Sequence, residues 1–225
     1  MKKILIVEDD LNIQNILSFN LKREKYDVSI CETGVDALKI VKDNPDLSLV
    51  LMDVMLPKMT GLECTKKIRE FSNIPIVMLT ALEGEENILK GFEVGVDDYV
   101  VKPFSIREVI ARIKAHLKNS TENNSIELIK INNITLYPST NVVKIGNKEN
   151  ELTDTELKLL MFFYKNPNKV WKREDLLKEV WGTEYFDMRT VDVSIRRLRT
   201  KIEIDDACPE NLKTRRGVGY FLNMR

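Results

Sequence analysis

The stretch V-L-M-D-V-M-L-P at residues 50–57 decides how the chain is read. With Leu49 before it, an apolar run passes through Val50, Leu51 and Met52 and stops at a lone carboxylate, Asp53. A short apolar run bounded by turn residues suits a strand buried on both faces, as strands of parallel sheets are. Pro57 and Gly61 open the loop behind it. Read alone, Asp53 fits equally well as the cap of the next helix. Its surroundings decide between the two roles.

Working outward, similar runs recur on both sides. Strands are expected at Lys3–Val7, Val28–Cys31, Ser48–Met52, Ile74–Leu79 and Asp98–Val101. Between them lie amphipathic segments, such as the one carrying Ile13, Ile16, Leu17 and Leu21. Alternating β and α grammar predicts a parallel sheet with helices on both faces. The last helix of this half has a marked start: Ser105 and Glu108 at capping-box spacing, Phe104 and Val109 as the hydrophobic staple. It is expected to end near Lys118, because the polar segment N-S-T-E-N-N-S at 119–125 has linker composition.

A different grammar follows. Residues 126–152 read as short strands with turns at Asn132-Asn133, Pro138-Ser139 and Gly146-Asn147. Three helices are expected next. The first starts at the Thr153/Glu156 capping box with a Leu152/Leu157 staple. The second spans about Lys172–Trp181, and the third about Met188–Ile202. The closing L-K-T-R-R-G-V-G-Y-F-L reads as a hairpin around Gly217 and Gly219.

The composition suits a soluble globular chain: 43% apolar, 31% charged, with no net charge. Cys31, Cys64 and Cys208 have no metal spacing and cannot form an even disulfide set, which fits a reducing, cytoplasmic setting. The opening M-K-K-I-L-I-V-E-D-D meets acids too soon to read as a secretory h-region. No apolar run is long enough for a membrane span.

In a parallel α/β sheet, ligands sit outside the carboxyl ends of the strands. Strand one ends in Glu8, Asp9 and Asp10, strand three in Asp53, strand four in Thr80 and strand five in Lys102. Four acids, a hydroxyl and an ammonium thus share one rim. Crowded carboxylates repel each other unless a cation sits among them, and hard oxygen donors suit Mg²⁺. A hydroxyl and a lysine beside a metal-bound aspartate would cradle phosphoryl oxygens. The aspartate would then be the nucleophile that becomes an acyl phosphate. Asp10 is read separately, as the start of the first helix.

The motifs I-L-I-V-E-D-D, V-L-M-D-V-M-L-P-K-M-T-G, M-L-T-A and D-D-Y-V-V-K-P-F, in that order, resemble the receiver domain of response regulators over residues 2–118. The resemblance implies a doubly wound, flavodoxin-like α/β fold with a five-stranded parallel sheet. It implies that Asp53 accepts a phosphoryl group from a sensor histidine kinase. Mg²⁺ would be held by Asp9, Asp53 and the Met55 carbonyl, with Glu8 acting through water. Thr80 and Lys102 would hold the phosphoryl oxygens, and Tyr99 would be the aromatic switch that follows Thr80. The Lys102–Pro103 bond would be cis. A phosphoacceptor of this kind is not a conventional enzyme, although phosphotransfer and slow autodephosphorylation occur at its own aspartate.

Residues 126–225 resemble the winged-helix effector of OmpR/PhoB-type regulators, an α+β winged helix-turn-helix domain, through L-T-D-T-E-L-K-L-L, V-W-K-R-E-D-L-L-K-E-V-W-G, R-T-V-D-V-S-I-R-R-L-R-T-K-I and T-R-R-G-V-G-Y. The expected domains are therefore 1–118 (receiver), 119–125 (linker) and 126–225 (effector). In the third helix Val191, Ile195, Leu198 and Ile202 form one inward stripe. Arg189, Val193, Arg196, Arg197 and Thr200 are assigned to the far side, with Asp192 and Arg199 flanking. Five basic residues against one acid between Met188 and Ile202 suit a helix in the DNA major groove. By resemblance, Arg197 and Asp192 would reach base edges, Val193 a thymine methyl, and Arg189, Thr190 and Arg199 phosphates. Ser194 stands where many relatives carry a histidine. Arg215 and Arg216 at the hairpin tip would enter the minor groove.

The implied partners are a sensor kinase, promoter DNA, RNA polymerase and, on phosphorylation, a second copy of the chain on tandem half-sites; no membrane is involved. The pairing face would be the fourth helix, fifth strand and fifth helix, with Asp98 and Arg112, and Glu93 and Lys114, as charge pairs across a dyad. Ile88 replaces a basic residue that relatives carry there. Three rival readings compete: a flavodoxin-like cofactor binder, an aspartyl-phosphate hydrolase and a DNA-binding regulator not switched by phosphate. The first lacks a phosphate loop after strand one, and the second lacks a carboxylate at Met55. The complete acid, threonine and lysine set argues against the third. His116 is expected at the surface, and Trp171 and Trp181 in the core.

Overall fold

The computed structural model describes residues 1–81, 85–122, 128–182 and 188–225; for 85–87 and 118–122 it describes the backbone alone. The chain forms two compact units, Met1–Asn119 and Ser120–Arg225.

In the first unit, β1 (Lys3–Val7), β2 (Asp27–Cys31), β3 (Leu47–Asp53), β4 (Ile76–Thr80) and β5 (Asp98–Val101) form a parallel sheet of order β2-β1-β3-β4-β5. The connecting helices are α1 (Leu11–Arg23), α2 (Gly34–Asp43), α3 (Gly61–Ile68), α4 (Glu85–Val94) and α5 (Ile106–Glu122). Strand alternation assigns the side chains. Ile4, Ile6, Leu49, Leu51, Val77, Leu79 and Val100 meet Leu17 and Leu21 of α1 and Val109 and Ile113 of α5. The alternate positions, such as Val50, Met52, Met78 and Tyr99, leave by the opposite face. Two covered faces explain why β3 reads as an unbroken apolar run. The strand order reverses direction between β1 and β3, so the crevice opens where Glu8 and Asp53 end their strands.

Two local expectations change. Helix α5 continues to Glu122, past the expected end at Lys118, because Asn119–Glu122 contains no Gly or Pro to stop a propagating helix. Residues 123–125 of the expected linker lie outside the described residues. His116 is not on the surface. It is buried on α5 with Nε2 3.4 Å from Asp98 Oδ2, in a cluster that Arg112 completes at 3.0 Å.

The second unit opens with an antiparallel sheet of β6 (Ile129–Ile131), β7 (Ile134–Tyr137), β8 (Val142–Ile145) and β9 (Lys148–Glu151). Positive φ at Asn132, Asn141 and Gly146 marks its turns. Helix α6 (Asp154–Lys165) starts at the expected capping box, with Thr153 and Glu156 each bonding the other's backbone N–H. Helix α7 (Arg173–Leu176) continues in wider turns through Leu177–Trp181 and ends at the left-handed Gly182. Helix α8 (Arg189–Ile202) buries Val191, Ile195, Leu198 and Ile202 as expected. The closing hairpin, β11 (Leu212–Arg215) and β12 (Gly219–Leu222), takes in a two-residue strand, β10 (Trp171–Lys172), which is too short to show a period in sequence. Trp181 is buried, whereas Trp171 is half-buried, edge-on to Phe162 at 4.8 Å.

Candidate phosphoacceptor site and nucleic-acid interface

Three strand ends and one loop build the first site. Glu8 (1% exposed) follows β1 and Asp53 (5%) closes β3; Asp9 beside them is exposed. One carboxylate oxygen from each of Glu8, Asp9 and Asp53 lies within 4.8 Å of the others. Lys102, just beyond β5, sends Nζ between the two buried acids, 2.8 and 3.0 Å from the Glu8 oxygens and 2.8 Å from Asp53 Oδ2. The other Asp53 oxygen, Oδ1, accepts from Met55 N–H at 3.1 Å. Thr80 closes β4 and is buried. The Lys102–Pro103 peptide is cis, as expected.

The electrostatics follow from this geometry. Burial raises the Glu8 carboxyl to about 7, the Asp53 charge adds to the rise, and the Lys102 ammonium opposes it. Burial pulls Lys102 down, but its bonds to Asp53 and Glu8 outweigh that and leave it raised. Lys102 is therefore the internal cation of a pocket with more negative than positive groups. Two buried carboxylates, an exposed third and one ammonium fit a divalent ion with hard oxygen preference.

Asp10 is not in the cluster. Its side chain accepts from Asn12 N–H at 2.7 Å and Ile13 N–H at 3.2 Å as the N-cap of α1. Tyr99 is buried, edge-on to Phe92 at 5.2 Å, and burial raises its phenol. Met78 pairs with Tyr99 and Thr80 with Val101, so Thr80 and Tyr99 leave the sheet on the same face. Of the residues assigned to pairing, Asp98 is engaged by Arg112 of its own chain and Lys114 by Glu24 at 2.6 Å.

On α8 the structure divides the assigned residues. Arg189 and Arg196 are exposed and Val193 half-exposed; with Thr200 they form a stripe repeating at helical spacing. Arg196 has no partner among the described residues, nor do the exposed side chains of Arg215 and Arg216 on the hairpin. Four of the assigned residues are engaged or buried within the chain. Arg197 turns inward, with Nη2 3.0 Å from the buried Glu156, because it lies next to the buried stripe rather than opposite it. Thr190 is fully buried one residue from Val191 and does not reach the surface. Asp192 Oδ1 accepts from Arg173 Nε at 2.7 Å and from Tyr220 Oη at 2.6 Å. Arg199 donates to Leu212 O at 2.9 Å and Thr214 Oγ1 at 2.8 Å. The last two tie α8 to α7 and to the hairpin. Sequence reading missed Glu156 as the anchor of Arg197 and Lys201; only its place in a capping box was visible.

A sheet with this order and acids at its carboxyl ends has the form of a receiver domain, and the second unit, with α8 tied to a closing hairpin, that of a winged-helix domain. Residues 4–114 match the family described as "Response regulator receiver domain", and residues 147–222 match "Transcriptional regulatory protein, C terminal". The chain belongs to the OmpR/PhoB family of response regulators. It is similar to DrrB, an OmpR/PhoB homologue of Thermotoga maritima (34% identity, 99% of each chain covered, TM-score 0.52). It is similar also to a mutant of RitR (29% identity, 100% of each chain, TM-score 0.77). A third similar structure is described as belonging to a family of redox sensors in the streptococci evolved from two-component response regulators (29% identity, 100% of each chain, TM-score 0.51). Among the described residues no helix is long and apolar enough to cross a membrane.

Proposed function

We propose that the chain is a cytoplasmic transcription regulator, switched when Asp53 takes a phosphoryl group from a sensor histidine kinase. The observation that carries this is the Glu8–Asp53–Lys102 cluster with Asp9 at its mouth. Asp9, Asp53 and the Met55 carbonyl would hold Mg²⁺, with Glu8 through water; bound there, it would neutralise charge developing on the phosphoryl oxygens. Asp53 is the nucleophile, with Oδ1 held by Met55 N–H and Oδ2 by Lys102. Lys102, already against Oδ2, then pairs with a phosphoryl oxygen, and Thr80 donates its hydroxyl to another. Tyr99 leaves the sheet on the face of Thr80 and follows its displacement. Water attacking phosphorus breaks the Asp53 O–P bond, releases inorganic phosphate and returns the carboxylate, which resets the site. Oxidation at Cys31 or Cys64 is the weaker reading, because burial pushes both thiols up to about 12 and leaves little thiolate.

The effector unit reads promoter DNA with the exposed stripe of α8. Arg196 reaches a base edge, Val193 meets a thymine methyl and Arg189 holds phosphate, while Arg215 and Arg216 enter the minor groove. Phosphorylation pairs two receivers through α4, β5 and α5, where Glu93, Asp98, Arg112 and Lys114 lie. Two effectors on tandem half-sites then gain affinity through effective concentration, and the paired form meets RNA polymerase at the promoter. Because Asp98 and Lys114 already have partners in their own chain, exchange across a dyad adds little energy, and a weak equilibrium is expected. Sedimentation with and without a small acyl-phosphate donor tests this on wild type and Arg112→Ala. A phosphorylated protein that stays monomeric yet binds its DNA more tightly would refute the pairing step.

A further inference from the structure

Tyr99 lies in a slot that only glycine leaves open. Its ring is 2% exposed, and its hydroxyl has no hydrogen-bond partner among the described residues. A Cβ built at Gly91 of α4 would lie 1.2 Å from Tyr99 Oη, 2.5 Å from its Cζ and 3.2 Å from Leu62 Cδ2. No rotamer change at position 91 relieves such an overlap, because Cβ is fixed by the backbone. Gly91 is not conformationally required as glycine: it is helical, and its φ is not among the positive ones. A glycine inside a helix costs stability relative to alanine. A buried, unsatisfied hydroxyl costs more. Both costs fall on the same contact, and the bare Cα of Gly91 is what lets the tyrosine lie there.

We propose that Gly91 is a positioning residue for Tyr99, admitting the ring against α4 and so coupling that helix to the phosphoacceptor site. This rests on the reading of Asp53 as phosphoacceptor and of Tyr99 as its switch. The ring lies against Phe92 as well as Gly91, and its side chain shares a sheet face with Thr80. A movement of Thr80 that frees or traps the ring therefore reaches α4 directly, at a helix assigned to receiver pairing. Substitution at Gly91 should cut this connection and leave Glu8, Asp9, Asp53 and Lys102 in place.

The test uses the full chain with 3-fluorotyrosine placed at position 99. In Gly91→Ala the fluorine resonance should shift from a buried to a solvent-exposed environment, with no donor present. Phosphate uptake from a small acyl phosphate with Mg²⁺ should persist, while the phosphorylation-dependent gain in receiver pairing is lost. A double-mutant cycle keeps the idea falsifiable if Gly91→Ala folds poorly. Leucine at 99 lacks the Oη and Cζ that a Cβ would overlap, leaving only the 3.2 Å contact with Leu62, so Gly91→Ala should be tolerated in a Tyr99→Leu background. If Gly91→Ala leaves the resonance at its buried position, or destabilises both backgrounds equally, the proposal is overturned. A ring that moves as expected in a chain that takes up no phosphate supports the slot and removes the phosphate reading beneath it.

Discussion

Each half of the molecule buries carboxylate beside cationic side chains, with opposite arithmetic. In the receiver, buried Glu8 and Asp53 share Lys102, and Asp9 adds a third acid at the mouth. In the effector, a single buried acid, Glu156, meets both Arg197 (3.0 Å) and Lys201 (2.7 Å), and also accepts from Thr153 N–H. The first cluster lacks positive charge and is open on one side, so it can take a further cation and an anionic group bound to it. The second has two cations for its one acid: Glu156 is enclosed, and its cations reach from α8 to the start of α6. Of these two clusters, the one with excess acid and an open side fits chemistry, and the enclosed one with excess cation fits architecture.

The largest expected effect tests the open cluster. Asp53→Asn should abolish phosphate uptake from a small acyl phosphate in the presence of Mg²⁺, measured as label retained on the protein. Uptake at the wild-type rate would move the nucleophile elsewhere. Lys102→Ala should retain part of the labelling and lose its coupling to pairing. Next comes the closed cluster. Glu156→Gln leaves two cations beside a buried site and weakens a helix cap. The full cost of breaking a buried pair is reduced here because Arg197 and Lys201 keep about a fifth of their side chains in water. A loss of about 2–3 kcal/mol in the effector's urea unfolding is expected, with phosphate uptake unchanged. A loss of uptake with no loss of stability would reverse the contrast.

The same contrast separates two adjacent arginines. Arg196→Ala should lose about 1–3 kcal/mol of discrimination at one base position, read from binding to a set of single-base variants. Arg197→Ala should lower effector stability and leave the ranking of DNA sequences as it was. If Arg197→Ala alone relaxed the base preference, its contact with Glu156 would have to be released on DNA.

Most of the receiver could be read from sequence, because its β-α alternation and strand-end residues are local signals. Asp53 followed from ending a two-sided apolar run, and Lys102 from ending another. What could not be read was how side chains turn once helices pack. Arg196 and Arg197 are adjacent and chemically alike, yet about 100° of helical rotation puts one in solvent and the other on Glu156. His116 looked like a surface residue near a helix end, but it is buried against Asp98 of β5, which Arg112 one turn earlier also engages. Asp192 looked free to read bases because its partners, Arg173 and Tyr220, lie 19 and 28 residues away. Long-range partners leave no period in a sequence.

The smallest effect concerns protons at the open cluster. Burial holds the Glu8 carboxyl near 7, well above an ordinary glutamate, so the folded receiver keeps a proton there that the unfolded chain releases near 4.5. The folded state thus binds more protons between those two values, and the metal-free receiver loses stability as pH rises through that window. Divalent cation binding has the opposite sense. A cation that needs Glu8 ionised must displace the proton below about 7 and meets no such competition above it. Mg²⁺ affinity should therefore rise by up to about tenfold per pH unit as pH approaches 7 from below, then level off. Titration calorimetry between about pH 5.5 and 8.5 in buffers of different ionisation heat would show both the slope and the released proton. Glu8→Gln should flatten the slope. A wild-type affinity that is level across the range would mean that the ion is held by Asp9 and Asp53 alone, with Lys102 keeping its bonds to a protonated Glu8.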